Sequence, residues 1–344
     1  MDEAKRIKLD KEHSKTENNT LYPVLPDDLI IDTPLTDVYV DTIVDPKKIS
    51  KIIKEINSVL PLPQLAHLKR MKSKEIILYP VSLEQYQIIN LLKEKTIDTS
   101  AFQNNIRIIQ VAKIPPMTRK QFEKVNKLWP CNFHPNNYLE KLSTNTLFSH
   151  DELRSHSRYM KVAVDVAKFA KDNYYSEEQI GAVVVDPKRK SVVAVGYRQT
   201  NKGVLKHAPM IAIDNVAKTQ NGGVWNPLLN QDTKIELNLD GIPKDLLEYL
   251  QIQHNDIVFG AQRYKEKDEL IEPADGPYLC TGYYIYLTIE PCVMCAMGLV
   301  HSRLKRVFFG AKSSNGALET LCKLHTVKEL NHHFEVFGGL IKHV

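Results

Sequence analysis

The sequence predicts an α/β protein made of two domains. Segments with helical periodicity alternate with segments of strand periodicity along most of the 344 residues. This length exceeds the roughly 100–200 residues of a typical single domain. Hydrophobic residues make up 43% and charged residues 25% of the chain. These proportions are typical of folded proteins and exclude a mostly disordered chain, a collagen-like chain and a coiled-coil rod.

The net charge and the cysteine content further limit the partners and the cellular compartment that we expect for this protein. The net charge of +5 permits a nucleic-acid partner but does not require one. Five cysteines are an odd and small number for this length, so we expect a reducing compartment and no disulfide scaffold. No apolar run reaches the ~18 uncharged residues of a membrane helix, so we expect no membrane partner.

We predict that residues 1–26 form a disordered tail, because Lys, Glu, Asp and Asn predominate there and apolar residues show almost no periodicity. The segment Lys5-Arg6-Ile7-Lys8 is similar to a weak nuclear-import signal. A solvated basic stretch is the simpler interpretation of the same residues.

Residues 27–116 predict a small α+β domain of the ferredoxin-like type, with the element order β-α-β-β-α-β. Its clearest element is the first helix, since Ile49, Ile52, Ile53, Ile56 and Leu60 recur at the spacing of one helical face. In chain order, we expect a strand near 37–43, a helix at 49–60, strands at 65–71 and 75–79, a helix that opens at Ser82, and a strand at 106–112.

Residues 117–150 predict a polar linker, because Pro115-Pro116 ends the first domain and Trp129-Pro130 is typical of a turn. Residues 151–344 predict an α/β layered domain, with an insertion at 219–281 that is rich in turn residues. Its expected elements are a long helix at 152–173, paired strands at 181–185 and 192–195, a helix that opens at His207, a strand at 284–288, a helix from Pro291 and a strand at 306–309.

The segment Pro291-Cys292-Val293-Met294-Cys295 predicts a metal or redox site where a helix begins. Proline suits the first turn of a helix, and the helix dipole stabilises a thiolate there. Two residues between the cysteines let both sulfurs reach one ion, although this spacing alone does not separate zinc from redox chemistry. His207 opens another helix 85 residues earlier (292 − 207). With Cys292 and Cys295 it makes a three-ligand set of the kind that holds Zn²⁺.

Three separated blocks of the chain resemble the zinc nucleoside and tRNA adenosine deaminases of the cytidine and deoxycytidylate deaminase superfamily. The blocks are Tyr286–Ala296, His301–Arg303 and Val307–Ala311, and the similarity extends over residues 152–340. It implies a cytidine-deaminase-like, three-layer zinc domain for residues 151–344. In this class zinc activates a water, and a Glu two residues after the zinc-binding His acts as general acid and base.

Two residues depart from the family pattern. Pro209 stands two positions after His207, where the resemblance places the catalytic Glu. Proline has no titratable group, and loss of a positioned acid/base typically removes ~10²–10⁴ in rate. We therefore expect no catalytic residue and no activity of the chain on its own. Arg198 stands where the adenosine deaminases of the family carry an Asn that hydrogen-bonds the base.

A deaminase domain without its Glu, behind a separate N-terminal domain, resembles the non-catalytic subunit of the eukaryotic tRNA wobble-adenosine deaminase. The insertion at 219–281 and the stretch Lys124–His134 add to this similarity. The resemblance implies a structural subunit that binds zinc and tRNA and pairs with a catalytic deaminase subunit. The complex would convert adenosine 34 to inosine on the tRNA anticodon arm, in the nucleus and cytoplasm.

The N-terminal domain is the expected tRNA-binding part. Its densest basic cluster is formed by Lys69, Arg70, Lys72 and Lys74, which we predict to contact RNA phosphates. A solvated edge of the domain is the alternative interpretation of these charges.

The chain ends at Gly338-Gly339-Leu340-Ile341-Lys342-His343-Val344, where the family's chain continues into a further helix. We expect the Val344 carboxylate, or His343, to occupy the fourth zinc position, because a carboxylate is a good zinc ligand and the glycines let the backbone turn. A frayed terminus is the alternative.

Two other functions stay open from the sequence. An active zinc deaminase could use another acid/base, such as Glu290 beside the Pro-Cys-x-x-Cys motif. A stand-alone zinc RNA-binding module would need no deaminase partner.

Overall fold

The computed structural model describes residues 21–341, apart from 84, 95–96, 98, 177, 226–236 and 263–277. Contacts divide the chain into two compact units. The N-terminal unit spans Leu25–Leu147, and the C-terminal unit joins the described residues up to Val24 to those from Phe148 onward. None of the helices in these described ranges is long and apolar enough to cross a membrane.

Strands and α-helices alternate along both units. The strands are β1 (Tyr22–Pro23), β2 (Leu35–Thr42), β3 (Met71–Lys72), β4 (Glu75–Pro80), β5 (Arg107–Ala112), β6 (Gly181–Asp186), β7 (Ser191–Tyr197), β8 (Leu237–Asn238), β9 (Val258–Phe259), β10 (Ala261–Gln262), β11 (Tyr284–Ile289), β12 (Arg306–Ala311) and β13 (Glu335–Gly338). The α-helices are α1 (Asp27–Ile30), α2 (Ile49–Val59), α3 (Gln85–Glu94), α4 (Arg119–Leu128), α5 (Asn137–Ser143), α6 (His150–Tyr174), α7 (Ala208–Lys218), α8 (Lys244–Gln253) and α9 (Val293–His301).

The N-terminal unit is built on a four-stranded antiparallel sheet with the order β3-β4-β2-β5. Together with α2 and α3 this gives the predicted β-α-β-β-α-β order, so the ferredoxin-like expectation is confirmed. Successive side chains of a strand point to opposite faces. Accordingly, Tyr39 packs with the buried Ile52 and Ile56 of α2, whereas Val38 and Val40 belong to a second core on the other face.

That second face of the sheet is covered by residues predicted to be a linker. Val125 of α4 and the buried Trp129 pack against Val38, Val40 and Ile77. The Trp129 indole N–H also donates a hydrogen bond to the Lys69 carbonyl, at 2.6 Å. The linker prediction for residues 117–150 is therefore wrong for its helical part.

The physical reason is that this apolar face of the sheet would otherwise be exposed to water, and α4 buries it. Helix α4 begins with a capping box between Thr118 and Gln121, and the Asn136 side chain caps α5. The unit continues to Leu147 rather than ending near residue 116.

The C-terminal unit is a three-layer α/β sandwich around a seven-stranded sheet, ordered β1-β13-β12-β11-β6-β7-β9. Strand β11 is parallel to β12 and antiparallel to β6. Ala182 and Val184 share a core with Ala208 and Ala212 of α7 and with Ala296 of α9. The opposite face of the sheet faces α6, and aromatic rings fill the space between them. Tyr284, Tyr286, Phe308 and Phe337 belong to the sheet, His156 and Tyr159 belong to α6, and Phe148 lies just before that helix. The expected α/β class with a cytidine-deaminase-like domain is confirmed.

Strand β1 lies within the segment predicted to be a disordered tail. Tyr22 pairs with Gly338 of β13, and the Tyr22 hydroxyl donates a hydrogen bond to the Glu319 carboxylate at 2.8 Å. Tyr22 and Val24 are packed into the core of the C-terminal unit, which explains why this end of the tail is ordered. Residues 1–20, with the segment Lys5–Lys8, lie outside the described residues.

The insertion at 219–281 is partly regular. Helix α8 lies in this insertion and buries Leu246, Leu247 and Leu250. Strands β8 and β10 pair with each other. Residues 226–236 and 263–277 of the insertion lie outside the described part of the chain.

Candidate metal centre

The structure brings His207, Cys292 and Cys295 together. One potential ligand atom from each residue lies within 4.8 Å of the others. The Cys292 Sγ lies 3.7 Å from the His207 Nδ1. His207 and Cys292 are the N-cap residues of α7 and α9, and Cys295 is in the first turn of α9.

Close packing of α7 on the sheet sets the position of His207. A Cβ atom on Gly196 of β7 would lie only 2.3 Å from the Ala208 carbonyl oxygen, so no larger residue fits there without a shift. Pro209 lies in the first turn of α7, where its missing N–H costs nothing. The two helices contact each other, and their N-terminal residues thereby meet at one edge of the sheet.

The donor set fits zinc. Bond lengths of ~2.0–2.3 Å in a tetrahedral arrangement separate neighbouring ligand atoms by roughly 3.5–3.8 Å, and the Cys292–His207 distance lies in this range. Burial, followed by the charge of Arg198, lowers the pKa of His207, which favours the neutral imidazole that binds metals. Burial also raises the pKa of the Cys295 thiol well above its usual value. A metal ion would have to displace that proton.

A cavity of about 370 Å³ opens beside the three residues. The buried Pro209 forms part of its wall, at the place where a proton carrier is expected. Arg198 also lines the cavity, and its guanidinium donates to the Glu178 carboxylate at 2.9 Å and to the Thr200 hydroxyl at 3.2 Å. This ion pair occupies the side of the cavity where the sequence comparison predicts a base-binding Asn.

Glu290 also lines the cavity, but its carboxylate is fully engaged. It accepts backbone hydrogen bonds from Leu318, Glu319 and Thr320 at 2.6–3.0 Å and from Ser313 at 3.3 Å. The Thr320 hydroxyl donates a further one at 2.5 Å. A carboxylate offers about four lone-pair positions, so these five donors saturate it. Glu290 therefore anchors the loop at 313–320 and is not placed to act as a base.

Comparisons with known proteins agree with this architecture. Residues 153–311 match the family model described as the cytidine and deoxycytidylate deaminase zinc-binding region. Residues 36–129 match the tRNA-specific adenosine deaminase TAD3 N-terminal domain. The chain belongs to the TAD3 family.

Three relatives illustrate this membership. Proteins named probable inactive tRNA-specific adenosine deaminase-like protein 3 from Danio rerio and Homo sapiens are each 33% identical to this chain. The alignments cover 93% of this chain and 91% and 89% of those proteins. The tRNA-specific adenosine deaminase TAD3 of Arabidopsis thaliana is 25% identical, over 90% of this chain and 92% of the relative.

In this TAD3-family chain, the four basic residues predicted to contact RNA do not share one environment. Lys69 and Lys74 are exposed, and the Lys72 ammonium donates to the Leu128 carbonyl at 2.8 Å. The Arg70 guanidinium donates instead to the carbonyls of Leu60 and Leu78, both at 2.9 Å.

Burial lowers the pKa of Arg70 to about 10. These hydrogen bonds tie the Arg70 guanidinium to the backbone of the N-terminal unit and do not favour the predicted phosphate contact, which stays a prediction. The predicted fourth ligands, Val344 and His343, lie outside the described residues.

Proposed function

We propose that this TAD3-family chain is the structural, non-catalytic subunit of a heterodimeric tRNA adenosine-34 deaminase. It binds zinc and tRNA and supports a catalytic deaminase subunit in converting the wobble adenosine to inosine. The observation that carries the proposal is the buried Pro209, two residues after the metal-cluster His207 and in the wall of the cavity. The names of the relatives, which include "probable inactive", support it.

Zinc is the metal that the His/Cys/Cys donor set favours. When bound, it would act as a Lewis acid that lowers the pKa of a bound water. The chain's own residues then hold the ion without moving a proton. Pro209 has no titratable group, Glu290 is saturated by hydrogen bonds, and Glu178 is paired with Arg198.

Binding to tRNA would rest on phosphate contacts of the N-terminal unit rather than on base stacking. Many RNA-binding sheets stack bases on exposed aromatic residues. Here both faces of the four-stranded sheet are covered, one by α2 and α3 and the other by Val125 and Trp129. The exposed Lys69 and Lys74, with Lys72 beside them, are the remaining candidates of the predicted cluster. Nuclear and cytoplasmic localisation, which the family resemblance implies, is part of the proposal.

Reconstitution tests the proposed function. The chain is purified alone and with the catalytic subunit, and inosine formation at position 34 of a tRNA is measured in both preparations. We expect no inosine from the chain alone, and activity of the pair that exceeds that of the catalytic subunit alone. Deamination by the isolated chain at an enzyme-like rate would refute the non-catalytic role. A chain that binds tRNA but never associates with the catalytic subunit would instead support a stand-alone RNA-binding module.

A further inference from the structure

The hairpin between β6 and β7 presents three consecutive cations that neither the metal centre nor the N-terminal unit uses. Lys188, Arg189 and Lys190 are all exposed. The Asp186 carboxylate accepts hydrogen bonds from the backbone N–H groups of Lys188 and Arg189, at 2.9 and 3.3 Å. Lys190 completes the turn in the left-handed region, at φ 56°. The turn therefore has a defined conformation that directs three charges to solvent.

Helix α6 fixes this hairpin and adds further charge. The Tyr159 hydroxyl donates a hydrogen bond to the Lys190 carbonyl at 3.1 Å, and Arg189 donates to the Gln262 side chain at 3.1 Å. Arg158 precedes Tyr159 on α6 and adds a fourth cation. We call Arg158, Lys188, Arg189 and Lys190 the basic hairpin surface.

Among the described residues, few acidic groups offset this charge. Asp256 forms an ion pair with Arg158. Asp165, farther along α6, lies 2.8 Å from His254. In the part of the chain that the structure describes, no carboxylate lies within ion-pair distance of Lys188, Arg189 or Lys190. These described residues therefore form a net positive surface on a turn of fixed backbone conformation.

From this geometry we propose that the basic hairpin surface is a second RNA contact, which binds the phosphate backbone of the tRNA. The proposal rests on the proposed function, because it takes tRNA as the polyanion. Lys and Arg pair well with phosphate, whereas the cores of protein interfaces are depleted in charge and rich in apolar and aromatic groups. Between Asp186 and Ser191 the hairpin exposes three cations and no large apolar side chain.

The surface contacts a part of the RNA distinct from anything held at the metal centre. Gly181, at the first end of β6, lines the cavity, and Asp186, at the other end, opens the hairpin. Five residue steps of strand at ~3.3 Å each separate these two residues by about 17 Å. A tRNA bound at the hairpin is thus held about 17 Å from the edge of the cavity, and it is held through its backbone without sequence preference.

Charge reversal in the full-length chain, assembled with its catalytic subunit, tests the proposal. The target variant combines Lys188→Glu, Arg189→Glu and Lys190→Glu. The matched control combines Lys171→Glu, Lys244→Glu and Lys305→Glu, which are exposed elsewhere on the same unit and give the same change in net charge. The affinity for a labelled tRNA is measured by fluorescence anisotropy at several salt concentrations.

We expect the target variant to bind tRNA at least tenfold more weakly and the control to bind within about twofold of the unaltered complex. In a third variant, with glutamine at the three target positions, the slope of log affinity against log salt should fall by about 0.9 for each lost phosphate contact. Thermal melting of each variant confirms that it is folded, and the glutamine variant provides the test if charge reversal prevents folding.

Unchanged affinity and slope in the target variants would overturn the proposal. Equal weakening of target and control would also overturn it, since overall charge would then explain the effect. Loss of the catalytic subunit with unaltered tRNA affinity would assign the surface to a protein partner instead. An unaltered complex that fails to bind tRNA would refute the proposed function itself, and with it this inference.

Discussion

Arg198 and Glu178 form an ion pair, at 2.9 Å, inside the cavity that also contains the metal-cluster residue His207. The pair presents charge at the position where the family resemblance implies a neutral, base-binding Asn. We therefore expect two obstacles to catalysis in this chain, the missing acid/base and this ion pair.

We predict that Pro209→Glu alone does not make the isolated chain a deaminase. The new carboxylate would sit in the first turn of α7, but Arg198 would still obstruct the cavity and attract that carboxylate. The measurement is inosine formation on tRNA by the isolated variant. The control is the double variant Pro209→Glu with Arg198→Asn, which removes both obstacles. If the single variant formed inosine as fast as an active double variant, Arg198 would not obstruct catalysis.

From the geometry of the metal cluster, we predict that zinc binding requires His207, Cys292 and Cys295 together. Replacing Cys292 or Cys295 by Ala, or His207 by Ala, should reduce the zinc content of the purified chain from about one per chain to a small fraction, because two remaining ligands bind zinc weakly. The melting temperature should fall as well, since bound metal stabilises the folded state. Elemental analysis and thermal melting measure the two effects.

Cys322→Ala is the matched control for these variants, because Cys322 is an exposed thiol outside the cluster. We expect its zinc content to equal that of the unaltered chain.

Glu290→Gln should lower the free energy of unfolding by about 2–3 kcal/mol. The substitution replaces a carboxylate that accepts five hydrogen bonds by an amide whose NH₂ group faces backbone donors, and charged hydrogen bonds are the stronger ones. Chemical denaturation measures the change. At a temperature where the variant is folded, the reconstituted complex should keep its turnover rate.

Glu329→Gln serves as the control for this loss, because Glu329 is exposed and its substitution should change stability by less than about 0.5 kcal/mol. If Glu290 were a base in the reaction, turnover would fall while stability stayed unchanged. That result would contradict the anchoring role.

The metal cluster was predictable because each ligand lies in a short local motif at a helix N-terminus. The sequence predicts helix α4 only in part. Thr118 and Gln121 form a capping-box pair that indicates the start of a helix, but the prolines on either side favour a linker. The burial of Arg70 left no signal in the sequence. Its two acceptors, the Leu60 and Leu78 carbonyls, are brought to it by tertiary packing. Strand β1 has two residues, too few to show periodicity.

Two buried histidines predict loss of stability in mild acid. Burial, followed by the charge of Arg306, lowers the pKa of His156 to about 4, and burial lowers that of His325 to about 4 as well. The His156 ring lies against Phe308 and 2.8 Å from the Tyr286 hydroxyl, and His325 contacts the Val24 carbonyl.

The unfolded chain binds these two protons near pH 6.5, while the folded chain binds them only near pH 4. The unfolded state therefore holds more protons in this window, and the free energy of unfolding falls as the pH decreases from 6.5 to 4. Each histidine contributes up to about 3 kcal/mol to this loss. Denaturant titrations between pH 7.5 and 4.5 measure the slope, and His156→Phe, which keeps a ring against Phe308, should flatten it by close to half. A slope unchanged by this substitution would mean that His156 is not buried in the neutral form.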